Sequence, residues 1–270
     1  MSKAEGTIML LGGNLSAAGE ALRSFVKLCN TTTGSSVIGL TTASSDVAGS
    51  RERWLEDFAA AGITNCEIPL IETREHASDA AIAERFRSAR AIFLGGGDQV
   101  KLVSVLSGTP VESAIRDAYM RGAVIAGTSA GAAALTKTTL AGNEVDDEGN
   151  LVEQYIGPGL GLLGFHTIID THFSQRRRLY RLFVVIAEYP ELMGLGIDED
   201  TALLVKGETG SVVGAGGVTF VDASGVRFNN KETLERGRQL TISALRVGIV
   251  GSGQEFNLKR RELQVLIAKE

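Results

Sequence analysis

Val124-Ile125-Ala126-Gly127-Thr128-Ser129-Ala130-Gly131-Ala132-Ala133 is the stretch on which the reading of this chain turns. An apolar run at 123–126 enters a G-x-S-x-G pentad, and small residues follow it. Glycines two before and two after a serine permit a sharp strand-to-helix turn that lifts the hydroxyl above a sheet edge. The turn also sets Ser129 at a helix N-terminus, where backbone N–H groups favour developing negative charge. The plainer alternative is a Gly-rich turn whose serine caps the helix. The buried-strand run ahead of the pentad favours the elbow, and hence a serine nucleophile.

Outward from the pentad, the first 135 residues alternate two patterns. Short apolar runs at 7–11, 36–41, 65–70, 91–94 and 123–126 read as buried strands. Segments at 17–30, 50–61, 79–88 and 110–121 have helical spacing. This alternation predicts an α/β fold, a mostly parallel doubly wound sheet with helices on both faces. Gly12-Gly13-Asn14, Thr41-Thr42-Ala43-Ser44-Ser45, Gly95-Gly96-Gly97-Asp98-Gln99 and the pentad each follow a strand. They should share the carboxyl edge of the sheet, where such folds bind ligands. Residues 140–160 read as a loop with an acidic tip, Asp146-Asp147-Glu148-Gly149. A helix is expected at 176–188, then strands at 202–205, 211–213, 218–221 and 241–250, with glycines marking β-hairpin turns. No composition break separates a second domain, so residues 1–270 are read as one.

Bulk properties bound the partners. The chain has 270 residues, 44% hydrophobic and 22% charged, enough for a core without a disulfide or metal staple. A net charge of −5 argues against nucleic acid, which wants a basic face. Cys29 and Cys66 form no CxxC pair, so neither a disulfide framework nor a Cys-based metal site is expected. The apolar run at 7–11 is too short for a signal segment, and no stretch reaches membrane-spanning length. A soluble cytoplasmic protein without cofactor or metal is the expectation.

A serine nucleophile needs a base, and three histidines compete. His76 sits in a charged stretch and reads as surface; His166 follows Gly164-Phe165 and reads first as a satisfied core histidine. His172 ends Ile168-Ile169-Asp170-Thr171-His172, where an apolar strand turns polar, and is the preferred base, with His166 as fallback. Two acids could orient it. Asp170 shares a face with His172 if the segment stays extended, and Glu199 lies in Asp198-Glu199-Asp200 just before a strand. Spacing does not choose between them. The run Arg176-Arg177-Arg178 with Arg181 is either a solvated helix face or a fork for carboxylates. Gly95-Gly96-Gly97 lacks the ending of a Walker loop, but such a turn can offer N–H donors to an oxyanion.

Taken together, Gly95–Gln99, the pentad, Asp170-Thr171-His172-Phe173-Ser174-Gln175-Arg176 and Gly196-Ile197-Asp198-Glu199-Asp200-Thr201-Ala202 resemble the cyanophycinases over nearly the whole chain. The resemblance implies a serine peptidase related to aspartyl dipeptidase (peptidase E), with a fold like that of class I glutamine amidotransferases. It implies an exopeptidase that cleaves the β-aspartyl linkages of cyanophycin and releases β-Asp-Arg dipeptides. It further implies Ser129 as nucleophile, His172 as base and Glu199 as acid, with the N–H groups of Gly97 and Ala130 as oxyanion hole. Gln99, Asp170, Thr171, Arg176, Arg178 and Arg181 would surround the dipeptide, and a homodimer is implied. Thr171 departs from the family pattern, which usually has Gln there, so a related aspartyl or isoaspartyl dipeptidase is the second reading. A non-catalytic protein that binds a small anion in the same cleft is the third.

Overall fold

The structure, a computed structural model, describes residues 5–30, 36–145, 151–235 and 238–264. The first half alternates as β1 (Thr7–Leu11), α1 (Glu20–Asn30), β2 (Val37–Leu40), α2 (Val47–Ala60), β3 (Cys66–Glu67), α3 (Arg74–Ala77), α4 (Ala80–Ser88), β4 (Ala91–Leu94), α5 (Gln99–Leu106), α6 (Pro110–Met120), β5 (Val124–Thr128) and α7 (Ala130–Ala134). Then come β6 (Thr138–Val145), β7 (Leu151–Pro158), β8 (Thr167–Thr171), α8 (Leu179–Glu188), β9 (Met193–Ile197), β10 (Thr201–Lys206), β11 (Thr209–Gly214) and β12 (Gly217–Asp222). The last strands are β13 (Phe228–Asn229), β14 (Ile242–Ser243), β15 (Arg246–Gly251), β16 (Glu255–Asn257) and β17 (Glu262–Gln264).

A nine-stranded sheet runs in the order β17-β16-β11-β10-β1-β5-β4-β2-β3. The five strands from the first half pair in parallel, whereas β10, β11, β16 and β17 pair antiparallel, so the sheet as a whole is mixed. The parallel strands bury both faces, as their apolar runs require. Ile8, Leu10, Ile38, Leu40, Ile92 and Leu94 face one core, shared with α4, α5 and α6. Met9, Leu11, Val37, Ala91 and Phe93 face the other, where Phe25 of α1 and Phe58 of α2 pack. A second sheet, β15-β12-β9-β8, contributes Ile169, Leu195 and Val218 to the first core, which therefore runs through both sheets. No helix among the described residues is long and apolar enough to cross a membrane.

Several expectations are corrected here. Residues 140–160 are not a loop: β6 and β7 form an antiparallel hairpin whose expected acidic tip, Asp146–Gly149, lies outside the described residues. Its strand character is hidden because β6 and β7 carry Gly and Glu, which strands disfavour, and because Glu144 stands directly opposite Glu153. The strand expected at 65–70 shrinks to two residues, since Pro69 has no N–H for a ladder. The helix expected from 176 begins at Leu179, because Arg177 takes a left-handed φ of 51°. A positive φ at Ala244 splits the strand expected at 241–250. Helix α5 was not foreseen: its three valines lower its propensity, but the Asp98 side chain accepts from Val100 and Lys101 N–H and caps it.

Candidate active site

The carboxyl ends of β1, β4, β5, β8 and β9 converge on one point. At the end of β5, Ser129 has φ 53° and ψ −119°, a sparsely populated conformation costing about 1–3 kcal/mol. The flanking glycines allow it by close approach: a Cβ on Gly127 would lie 2.4 Å from the Gly131 carbonyl oxygen, and one on Gly131 would lie 2.2 Å from that of Leu94. The serine side chain makes no capping bond to α7, which removes the capping alternative. Ser129 Oγ instead lies 3.0 Å from His172 Nε2.

His172 follows β8 directly and also has a positive φ, 50°. Its Nδ1 lies 2.6 Å from Glu199 Oε1. Asp170 does not reach the imidazole, because the backbone leaves the extended form at His172 and the shared face is lost. The Glu199 carboxyl is held below the usual glutamate range, first by the hydrogen bond from His172, then by Asn14 Nδ2, which donates to Oε2 at 2.7 Å. An ionised carboxylate only accepts, so Nδ1 carries the imidazole proton and Nε2 is left to accept from the serine hydroxyl.

The β1 loop braces Ser129, His172 and the residue after Glu199. Leu11 O accepts from Ser129 N–H at 3.0 Å, Gly12 O from His172 N–H at 2.8 Å, and Gly13 O from Asp200 N–H at 3.0 Å. Gly13 packs under the imidazole, where a Cβ would lie 2.4 Å from Nε2. Gln175 Oε1 accepts from the Glu199 N–H at 3.1 Å. Sequence reasoning quoted Asn14 and Gln175 without giving either a role. The only signal available was that Asn tolerates the left-handed conformation, which Asn14 adopts.

Ser129 and His172 line a cavity of about 150 Å³, together with Gly97, Gln99, Ala130, Asp170, Thr171, Arg176, Arg178 and Arg181, so every expected site residue except Glu199 reaches it. Glu199 stands behind the imidazole. The N–H groups of Gly97 and Ala130 have no acceptor among the described residues. Gly96 packs against the serine, where a Cβ would lie 3.2 Å from Ser129 Cβ. The arginine fork splits. Arg178 Nη1 donates to Asp170 Oδ1 at 3.1 Å and to Thr171 O at 2.7 Å, and Arg181 Nε donates to Asp170 Oδ2 at 2.8 Å. Burial draws the Arg178 guanidinium below its usual range, against the opposing pull of Asp170. Arg176 and Arg177, both exposed, make no ion pair or side-chain hydrogen bond among the described residues, and of the two Arg176 lines the cavity. Gln99 turns its amide to Leu140 O.

His166 is exposed, not a core residue, and lies apart from this site, just before β8 begins. It lines a larger cavity of about 670 Å³ with Phe165, Glu191 and Leu258. Size does not make that cavity the reactive one, since no nucleophile–base pair faces it. His76 is exposed. No group of three or more potential metal-ligating side chains occurs among the described residues.

Residues 8–213 match peptidase family S51. The cyanophycinase of Trichormus variabilis is 35% identical over 77% of this chain and 70% of its own length. Those of Geminocystis herdmanii and Synechococcus elongatus are 33% and 32% identical, over 78% and 84% of this chain and 78% and 71% of their own. A peptidase from an acI-B1 Actinobacterium superposes with TM-score 0.68 at 19% identity, covering 95% of this chain and 98% of that one. A peptidase-E-type protein of Listeria monocytogenes EGD-e gives 0.54 at 19% identity, covering 78% and 98%. At that identity the two likenesses concern the fold.

Proposed function

The chain belongs to peptidase family S51, and on that premise we propose that it is a serine exopeptidase that hydrolyses the β-aspartyl linkages of cyanophycin and releases β-Asp-Arg dipeptides. The observation that carries the chemistry is the hydrogen-bonded chain from Ser129 Oγ through His172 to Glu199. Ser129 Oγ attacks the β-aspartyl carbonyl carbon while its proton passes to His172 Nε2. Glu199 holds the imidazole and offsets its charge. The carbonyl oxygen, now an oxyanion, sits against the unpaired N–H groups of Gly97 and Ala130. As the amide C–N bond breaks, His172 returns the proton to the leaving nitrogen. Water then attacks the acyl-enzyme by the same route in reverse.

The lining fits an anionic peptide. Arg176 is free to meet a substrate carboxylate, while Arg178 and Arg181 already hold Asp170 and stiffen that wall. Thr171 is buried in the lining and keeps the second reading alive, an aspartyl or isoaspartyl dipeptidase that leaves the polymer alone. Cyanophycin and α-Asp dipeptides should be offered side by side, with products identified by mass spectrometry. Release of β-Asp-Arg from the polymer supports the first reading; cleavage of the dipeptides alone supports the second. A single domain, a sheet like that of class I glutamine amidotransferases, a homodimer and a cytoplasmic location belong to the same proposal. The sheet likeness and the homodimer rest on the family resemblance, the other two on the reading of composition and apolar runs, and light scattering tests the dimer.

A further inference from the structure

Strands β8 and β9 bring the base and the acid together, but their ladder stops short of both. The parallel pairing ends at Thr171 opposite Ile197, and His172 then leaves the extended form with φ 50°. Past that point the backbone adds one bond between the two segments, from Phe173 N–H to Ile197 O at 3.2 Å. Yet His172 Nδ1 and Glu199 Oε1 lie 2.6 Å apart. Side chains take over where the ladder ends.

The run Asp198-Glu199-Asp200 shows how. Three adjacent carboxylates turned the same way would repel one another. These three diverge. Glu199 turns to His172 and Asn14, Asp200 packs against Gly19 just ahead of α1, and Asp198 turns to the segment that follows His172. Asp198 Oδ1 accepts from the Ser174 N–H at 3.1 Å and from the Ser174 hydroxyl at 2.6 Å. Oδ2 accepts from the Gly217 N–H at 3.1 Å, and the Asp198 N–H donates to Gly217 O at 3.2 Å, so the same residue is anchored on β12. A Cβ on Gly216 would lie 2.7 Å from Asp198 Cβ, which shows how closely that side is packed. Bonds to an ionised carboxylate are shorter and about twice as strong as neutral ones. An amide could not replace it: with one oxygen, it would turn an N–H toward either Ser174 or Gly217.

We propose that Asp198 is a positioning residue: by tying Ser174 to β12 it sets the spacing of His172 and Glu199. It is half-buried and does not line the cavity, so it acts through its neighbours and not on the substrate. This rests on the reading of Ser129, His172 and Glu199 as nucleophile, base and acid, and is independent of which peptide is cut.

The test has three readouts: the rate at which a fluorophosphonate labels Ser129, the far-downfield proton resonance of His172 Nδ1, and kcat and KM on cyanophycin. Asp198→Asn should slow labelling and lower kcat by roughly 10- to 100-fold, as a displacement of up to 1 Å does. The resonance should move or vanish, and KM should stay within about twofold, because binding alone is untouched. Ser174→Ala, at an exposed position, should slow labelling by about 2- to 10-fold, the value of one hydrogen bond, and move the resonance in the same sense. Combining the two should cost less than the product of the separate losses, since both break one link. If Asp198→Asn loses its native circular dichroism, Ser174→Ala decides alone. Labelling unchanged, labelling slowed with the resonance unmoved, or a raised KM at constant kcat overturns the proposal. Cyanophycin hydrolysis by the unaltered protein is scored separately. No hydrolysis together with Asp198-dependent labelling sinks the assigned substrate and keeps Asp198. Hydrolysis with labelling indifferent to Asp198 and Ser174 does the reverse.

Discussion

The two sides of the reactive cleft are built on opposite principles. At the strand ends the three groups are held firmly: Ser129 and His172 have backbone bonds to the β1 loop, Glu199 is held by Gln175 and Asn14, and strain concentrates there. Five of the seven described non-glycine residues with positive φ, Asn14, Ser129, His172, Arg177 and Asp200, lie in the loops around this point. Across the cavity, the lining keeps a group unspent, the guanidinium of Arg176. The first side has no freedom left and the second has unmet bonding capacity. That is what a reacting centre and a recognition surface respectively require. Each of the following substitutions attacks one side of this contrast.

The largest effect should come from Ser129→Ala. Loss of the nucleophile should lower kcat on cyanophycin by about 10⁴-fold or more, leaving only what binding and the oxyanion donors provide. Thermal unfolding should show no loss of stability, because the strained φ of Ser129 serves the reaction and not the core. Asp170→Ala strikes the border between the two sides. It leaves two partly buried guanidinium groups facing each other, and should destabilise the fold by about 3–5 kcal/mol in urea titrations.

Gly13→Ala comes next. The added methyl occupies the place of the imidazole, and a displacement of about 1 Å costs roughly 10²-fold in kcat. An activity within twofold of the unaltered protein would mean that the β1 loop does not position His172. Arg176→Met touches only the recognition side. It should raise KM by about tenfold, the value of one charge-assisted hydrogen bond, with little change in kcat.

The smallest effect concerns pH. Glu199 has its carboxyl lowered by the bonds from His172 and Asn14. Its ion-pair contribution is therefore fully present above the ordinary glutamate range and is lost only as pH falls through the lowered value. Asn14→Leu removes one of the two bonds. The Glu199 carboxyl should then titrate at a higher pH than in the unaltered protein, read by NMR of the labelled side chain. An unshifted carboxyl titration would show that Asn14 does not tune Glu199.

Legibility in the sequence followed the same division. The pentad, the parallel strands and the four strand-end loops could be read because periodicity and glycine spacing are local properties. His172 could be chosen over His76 and His166 because a strand turning polar marks the edge where sites gather. The choice between Asp170 and Glu199 could not be made from spacing, since it depends on one left-handed φ at His172. The hairpin was missed altogether: Gly142, Asn143, Glu144, Glu153 and Gly157 interrupt the strand-forming Thr, Val, Tyr and Ile of β6 and β7, and pairing overrides them. The arginine run was half legible, because sequence gives the charges but not the buried Asp170 that takes two of them.

The account rests most heavily on Ser129 as the nucleophile. The direct measurement is peptide-level mass spectrometry after treatment with a serine-reactive fluorophosphonate, in parallel with cyanophycin turnover. A single adduct on Ser129, forming as hydrolysis is lost and absent from Ser129→Ala, is the predicted result. A protein that releases β-Asp-Arg while Ser129 stays unmodified would contradict it.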